Sequence, residues 1–282
     1  MSLKQKALKS ATQLLKIGIS VFGQSRSTLI AAQLAAELVP IISKKTEKGT
    51  IKFFCPGNMP EWRAQTLLTK EPETIEWINT FSDKDVFWDI GANVGVYTLY
   101  AALRNIRVFS FEPSPANYYL LNRNVEINKM DNLISAFCLA FNDTTQLNSL
   151  YMSSTDLGGA NSSFAEPIDW KGKPFIASFK QAMMGFSMDD FVRKFNPLFP
   201  NHIKIDVDGI ESKIVKGGQT TLADKRVKSI LIEMDSSRDS YCNEVMAGME
   251  RAGMKFIQKK HAPLPDSSPY ASGYNYIFAR SS

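Results

Sequence analysis

Val86-Phe-Trp-Asp-Ile-Gly-Ala-Asn-Val-Gly-Val-Tyr-Thr-Leu-Tyr100 decides the fold. Val86 to Ile90 is a mostly apolar run of five residues, enough to cross a sheet as a buried strand. It breaks at Gly91. From about Val94, the positions Val94, Thr98, Leu99 and Ala102 recur near helical spacing. Gly91 and Gly95 permit a tight turn and a close approach of backbone to a ligand. The first N–H groups of the helix then face whatever occupies the turn.

A dinucleotide site would need Gly-x-Gly-x-x-Gly, so that a pyrophosphate can approach the backbone and a helix N-terminus. Here the pattern is Asp89-x-Gly91-x-Asn93-x-Gly95, without the middle glycine. Asp89 closes the strand with a negative charge, which repels phosphate and attracts a cation. A ligand with a sulfonium, an ammonium and a ribose but no phosphate suits that field: S-adenosylmethionine (SAM). The next strand, Arg107-Val-Phe-Ser-Phe-Glu112, ends in a carboxylate 17 residues past Gly95, placed to accept both ribose hydroxyls. Pro113 stops that strand, because it has no ladder donor. Asp89 and Glu112 thus stand at the carboxyl ends of two strands in one βαβ unit, where open α/β sheets bind ligands.

The length of 282 residues fits one sizeable domain, or one domain with a small appendage. A core of that size needs no disulfide, and Cys55, Cys138 and Cys242 lack metal-ligand spacing. They read as reduced packing residues of a cytoplasmic protein. Two histidines, His202 and His261, make a His-rich metal site unpromising. Residues 1–50 hold eight Lys/Arg against two Asp/Glu, whereas the rest holds 25 against 26. The basic excess therefore lies outside the main domain, which argues against a nucleic-acid groove there.

Residues 1–42 carry two helical patterns. The first aligns Leu8, Ala11, Leu15 and Ile19; the second, Leu29 to Ile42, is interrupted by Gln33, Glu37 and Pro40. Neither reaches the roughly 20 unbroken apolar residues of a membrane span, and Lys16 interrupts the one candidate signal-peptide core. A helical appendage packing on the main domain or on a second subunit is the preferred expectation. A basic amphipathic helix at an anionic membrane surface stays open beside it. Ser43 to Gly49 reads as a polar hinge, which sets the boundary between a segment 1–49 and a domain 50–282. Ile51 to Cys55 reads as a short strand, Glu61 to Lys70 as helix, and Pro72 to Phe81 as a helix opened by proline. Lys70-Glu71-Pro72 reads as a solvated turn rather than cofactor lining.

Helix follows from Pro115 to about Asn128, then a third strand from Leu133 to Ala140. Phe141 to Asp143 falls at its carboxyl end, beside the place of an adenine ring. Extended pieces at 147–152 and 179–184 flank a polar loop, Ser153 to Ser163, read as a substrate cover with Asn161 and Ser163 on it. Ser187 caps a helix over 188–194. His202 to Ile205 is a buried strand ending in Asp206, with Asp208 and a turn at Gly209. Val227 to Glu233 is another. Strands at 254–258 and 274–279, linked by a loop with Pro263, Pro265 and Pro269, complete the alternation. The fold class is α/β: a Rossmann-like sheet of seven strands, mostly parallel with one antiparallel strand, helices on both faces, and the N-terminal helical appendage.

In this order the chain resembles the FkbM-type family of class I SAM-dependent methyltransferases. The matching residues are Trp62-Arg63 with Lys70-Glu71-Pro72, Trp88 to Gly95, Phe111-Glu112-Pro113, and Ala140 with Asn142-Asp143. They continue with Lys204-Ile-Asp-Val-Asp-Gly209, Glu211 and Ile232-Glu233. The resemblance covers roughly residues 50–280; Asp208 departs from it, since the family more often has Glu there. It implies O-methylation of hydroxyls on sugars, glycolipids, polysaccharides or polyketide-type products.

An alcohol is a weak nucleophile near neutral pH, so a positioned base should help methyl transfer. Asp206 is the first candidate, with Lys204 on the same strand face to hold or tune it and Glu233 on the next strand. Asp208 and Glu211 are placed toward the substrate, and His202 is expected to be structural. Asp206, Asp208 and Glu233 also offer oxygen ligands to a divalent ion, a reading kept second to a metal-free site. The acceptor is expected to be a carbohydrate or carbohydrate-bearing metabolite, with a polyketide, lipid or other small molecule as the alternative. A nicotinamide-binding oxidoreductase or sensor is disfavoured by Asp89 and the missing glycine, and a SAM-binding protein without catalysis by the intact acid set.

Overall fold

The run Val86–Ile90 forms a strand (β1) buried at all five residues. Parallel neighbours flank it: Arg107–Phe111 (β2) on one side and His202–Ile205 (β4) on the other. Ile134–Phe137 (β3), Ser229–Asp235 (β5), Lys255–Lys260 (β6) and Gly273–Ala279 (β7) complete a seven-stranded sheet of order β6-β7-β5-β4-β1-β2-β3. β7 runs antiparallel to both of its neighbours. This is the mostly parallel Rossmann-like sheet expected, and its direction of winding reverses between β1 and β4. The computed structural model describes residues 3–261, 268 and 271–280. Pro263, Pro265 and Pro269, read as loop, lie outside the described residues.

Alternation along each strand sends successive side chains to opposite faces. Trp88, Ile90, Ile203, Ile205, Ile230 and Ile232 enter one core with the helices Met188–Phe195, Glu211–Gly217 and Asp239–Arg251. Phe87, Val108 and Leu231 enter the other, against the helices Pro72–Asn79, Val96–Leu103 and Pro115–Asn128. The side chains of His202, Lys204 and Glu233 share the parity of this second face. Ser187 caps the helix Met188–Phe195, its side chain accepting from the Asp190 N–H.

Four local expectations change. The helix after the glycine turn begins at Val96, because Gly95 is left-handed at φ 83°. The second N-terminal helix stops at Glu37, ahead of Pro40, which cannot continue it. The polar stretch Ser43–Gly49 is no hinge: Ile41–Thr46 and Gly49–Phe54 pair as a hairpin, and the Thr46 hydroxyl closes its turn by donating to the Gly49 carbonyl at 3.0 Å. The stretch Leu133–Ala140 is divided, since Ala140–Phe141 leaves the central sheet to pair with Gly185–Phe186. That pairing belongs to a four-stranded sheet with Gln146–Met152, Ser162–Phe164 and Phe179–Phe186, which has a core of its own around Leu150, Phe164 and Met183.

By contacts the chain divides into two units, Met1–Ile41 and Ile42–Ser282. The first holds helices α1 (Leu3–Ser20) and α2 (Gln24–Glu37). Among the described residues, no helix is long and apolar enough to cross a membrane.

Trp88 is fully buried, donates its indole N–H to the Leu198 carbonyl at 3.1 Å, and meets Phe111 edge-on at 5.3 Å. Trp88→Ala should lower stability by about 3–5 kcal/mol, read from the urea midpoint at unchanged slope.

Candidate active site

The reversal between β1 and β4 opens a crevice at the carboxyl ends of the strands, the usual ligand position in such sheets. A cleft of about 580 Å³ lies there, lined by Gly91, Asn93, Glu112, Pro113 and Phe141 on one side and by Lys204, Asp206, Asp208, Glu211 and Glu233 on the other. Eight of its described lining residues are carboxylic acids, against Arg63, Lys70 and Lys204 as cations.

The glycine turn is pressed against the second half of the site. Gly91 has φ +85°, and a Cβ there would overlap the Asp206 carbonyl. Its N–H donates to the Phe111 carbonyl at 2.9 Å, while the Asp206 N–H donates to the Ile90 carbonyl at 3.0 Å. A side chain at 91 would therefore push apart the two strand ends that define the crevice. Glu112 is held by backbone donors at both oxygens: Asn93 N–H at 2.7 Å and Ser114 N–H at 2.9 Å. Each oxygen keeps acceptor capacity toward the cleft. Burial pushes this carboxyl up to about 7, against the pull of those donors.

Asp89 lies beneath the turn, not on the cleft wall. It is buried and accepts from the Thr98 hydroxyl at 2.6 Å, and its other oxygen has no partner among the described residues. Burial raises its pKa, while the neighbouring Lys204 charge opposes the rise. Gly95 also lies off the wall. Asp143 points to Lys216 at 3.0 Å, so of the stretch 141–143 it is Phe141 that borders the cleft.

The loop over 153–161 is tied down over the glycine turn. Asn93 and Asn117 both donate to the Gly159 carbonyl, at 2.7 and 3.0 Å, and Arg63 donates to the Gly158 carbonyl at 2.8 Å. Asn161 lines the cleft and gives its backbone N–H to Asp208 at 2.6 Å. Ser163 is buried instead, with its neighbour Ser162 on the wall. Asp208 therefore anchors the cover, and burial with the Asp206 charge raises its carboxyl to about 6. Glu211 accepts from the backbone N–H groups of Val207 and Gly209 and from the Tyr241 hydroxyl. It shapes the turn after β4, and burial raises it to about 7.

The chemical centre is a cluster around Lys204, whose ammonium is buried and donates to Asp206 at 2.5 Å. Burial would raise the Asp206 pKa, but Lys204 overrides it and holds that carboxyl well below its usual range. Glu233 moves the other way: burial and the charges of Asp206 and Glu71 push its pKa well above the usual carboxylate range, and it hydrogen-bonds Asp206. The opposed shifts favour a single proton shared by the pair, on the Glu233 side.

The Lys70-Glu71 turn is not solvated. Glu71 is buried, ion-paired with Lys70, and accepts from Thr74 at 3.2 Å. Against burial, Lys70 and Lys204 lower its pKa. Carboxylate oxygens of Glu71, Asp206 and Glu233 come within 4.8 Å of one another. Asp208, read with Asp206 and Glu233 as a candidate metal set, is outside that trio because its carboxylate turns to the cover. Tyr97 stands behind the cluster, with the Lys204 ammonium 5.2 Å from its ring centroid. His202 is structural as expected, between Ser229 at 2.7 Å and Asp85 at 3.1 Å and stacked on Phe81.

The raised carboxyls give a testable sign. A carboxyl whose pKa rises on folding contributes stability below its ordinary 4.5 that is lost as pH rises through about 7, as for Glu112. His202, lowered to about 4, works in the opposite direction. The stability of wild type minus that of Glu112→Gln should therefore fall as pH rises through this window. Thermal melts at a series of pH values measure it, and a flat difference would contradict the assignment.

A sequence model of the Methyltransferase FkbM domain matches residues 89–256, more than half of the chain. The hexuronic acid methyltransferase AglP of Haloferax volcanii is 24% identical over 179 residues, covering 63% of this chain and 67% of that protein. Methyltransferase FkbM from Methylobacillus flagellatus superposes with a TM-score of 0.44 and 16% identity over 70% of this chain; the chain spans 44% of that structure, less than half its length. P. horikoshii TYW2 in complex with MeSAdo superposes with a TM-score of 0.44 and 9% identity, over 86% of this chain and 73% of that one.

Proposed function

The chain belongs to the FkbM methyltransferase family, and from that premise we propose that it uses SAM to methylate a hydroxyl of a sugar, glycan or glycoconjugate. The observation that carries the donor is Glu112, fixed by two backbone donors with both oxygens still able to accept from ribose hydroxyls. Carboxylic acids outnumber cations around the cleft, which disfavours phosphate even though burial raises several of those carboxyls. A sugar acceptor is supported by the Haloferax volcanii relative, whose name assigns it a hexuronic acid. It is also supported by the acids on the far wall, since carboxylates accept hydrogen bonds from hydroxyls.

SAM supplies an electrophilic methyl group on sulfur and leaves as the neutral thioether. The protein's part is to bring the acceptor oxygen into line with that carbon. Asp206 accepts the hydrogen bond of the acceptor hydroxyl and takes its proton. Its lowered pKa makes it a weak base at rest, yet the hydroxyl becomes strongly acidic once its oxygen begins to bond carbon. A fixed carboxylate is then sufficient as acceptor. Lys204 keeps Asp206 ionised and oriented, and protonated Glu233 occupies its second side. Lys204 pairs with Asp206 and Lys70 with Glu71, so this cluster is held together without calling on a divalent ion.

Calorimetry should detect SAM binding and no NAD binding, whereas the reverse result would remove the donor assignment. Asp206→Asn should keep SAM affinity within a few-fold and lower turnover by about 10²-fold or more. Full turnover in that variant would exclude Asp206 as proton acceptor. Methyl transfer should persist in excess chelator, and its loss would restore the metal reading.

A further inference from the structure

Helix α1 has two unlike faces. Leu8, Ala11, Leu15 and Ile19 recur at positions that align along one side, and Leu14 extends that stripe. Lys6, Lys9 and Lys16 fall away from it. The apolar stripe is open: Leu8 is 63% exposed, Leu14 69% and Leu15 54%. Val21 and Phe22, just past the helix end, are exposed as well. None of residues 6–41 is buried. So many bare apolar side chains on one helix mark an interaction surface.

The charge says what covers it. Residues 1–36 contain Lys4, Lys6, Lys9, Lys16 and Arg26, and no acid. Two copies of this segment meeting face to face would bring like charges together with nothing to pair them. An anionic lipid surface meets both demands: headgroups take the lysines, and the acyl boundary takes the stripe. The helix is too polar to span a bilayer and lies on it. We propose that α1 is a peripheral membrane anchor, seated on anionic lipid through Leu8, Leu14, Leu15 and Ile19 with Lys6, Lys9 and Lys16 at headgroup level. This rests on the helix alone and holds whichever acceptor the cleft takes.

The full chain is floated with vesicles of phosphatidylcholine, or of phosphatidylcholine with a third phosphatidylglycerol. Partition onto the anionic vesicles should be about tenfold stronger or more at low salt and should weaken as salt rises. Leu8→Glu with Leu15→Glu should abolish it, and Lys6→Glu with Lys9→Glu and Lys16→Glu should remove the lipid preference. These positions are exposed, so both variants should keep the wild-type melting temperature. Equal partition onto both vesicles, or partition untouched by Leu8→Glu with Leu15→Glu, would overturn the proposal. So would absence of vesicle binding together with a concentration-dependent dimer that this variant dissolves, which would assign the stripe to a second copy.

Discussion

The site depends on one buried ammonium. Lys204 is 1% exposed at its side chain and has Asp206 within 2.5 Å. An unpaired charge there would cost several kcal/mol. It is tolerated because carboxyl groups gather around it from four parts of the chain, Glu71 before β1, Asp89 within it, Asp206 after β4 and Glu233 in β5, with Asp206 and Glu71 held toward the charged form. The converse also holds. Without Lys204, those acids could not share so small a volume as ions, and most would be protonated.

This mutual dependence splits the acids by role. Lys204 holds Asp206 low, burial and neighbouring charge push Glu233 up, and Lys70 with Lys204 holds Glu71 low. Glu112, Asp208 and Glu211 are raised chiefly by burial. The glycine turn joins the two halves mechanically, since Gly91 touches the Asp206 backbone. The loop over 153–161 joins them again above the cleft, held by Asn93 and Asn117 at one end and by Asp208 at the other. The donor side and the acid cluster are therefore held in register by the backbone contact at Gly91 and by side-chain hydrogen bonds to the loop backbone.

Much of this was legible in the sequence because it is local. A strand, a glycine turn and a helix follow one another within 15 residues, Lys204 and Asp206 lie two apart at the end of one strand, and parity alone puts them on one face. What is long-range was hidden. Glu71 stands in a matching motif, yet its spacing before a helix-opening proline reads as a solvated turn, and only the packing of Pro72–Asn79 on the sheet brings it to Asp206. Arg63 likewise reaches the site through packing, from the helix Asn58–Gln65 to the Gly158 carbonyl. Ser43–Gly49 looked like a hinge because its strands alternate exposed and half-buried residues with few apolar side chains. Asp208 showed its charge in the sequence but not its partner, which arrives from a loop 47 positions away.

The division of protons between Asp206 and Glu233 tests the account most directly. Carboxyl carbon shifts of the two residues, followed by NMR across pH in the full chain, measure it. Asp206 should remain ionised through the acidic range while Glu233 remains protonated at neutral pH. If Glu233 instead ionised in the ordinary carboxylate range, with Asp206 taking up a proton alongside it, Lys204 would not be organising the site.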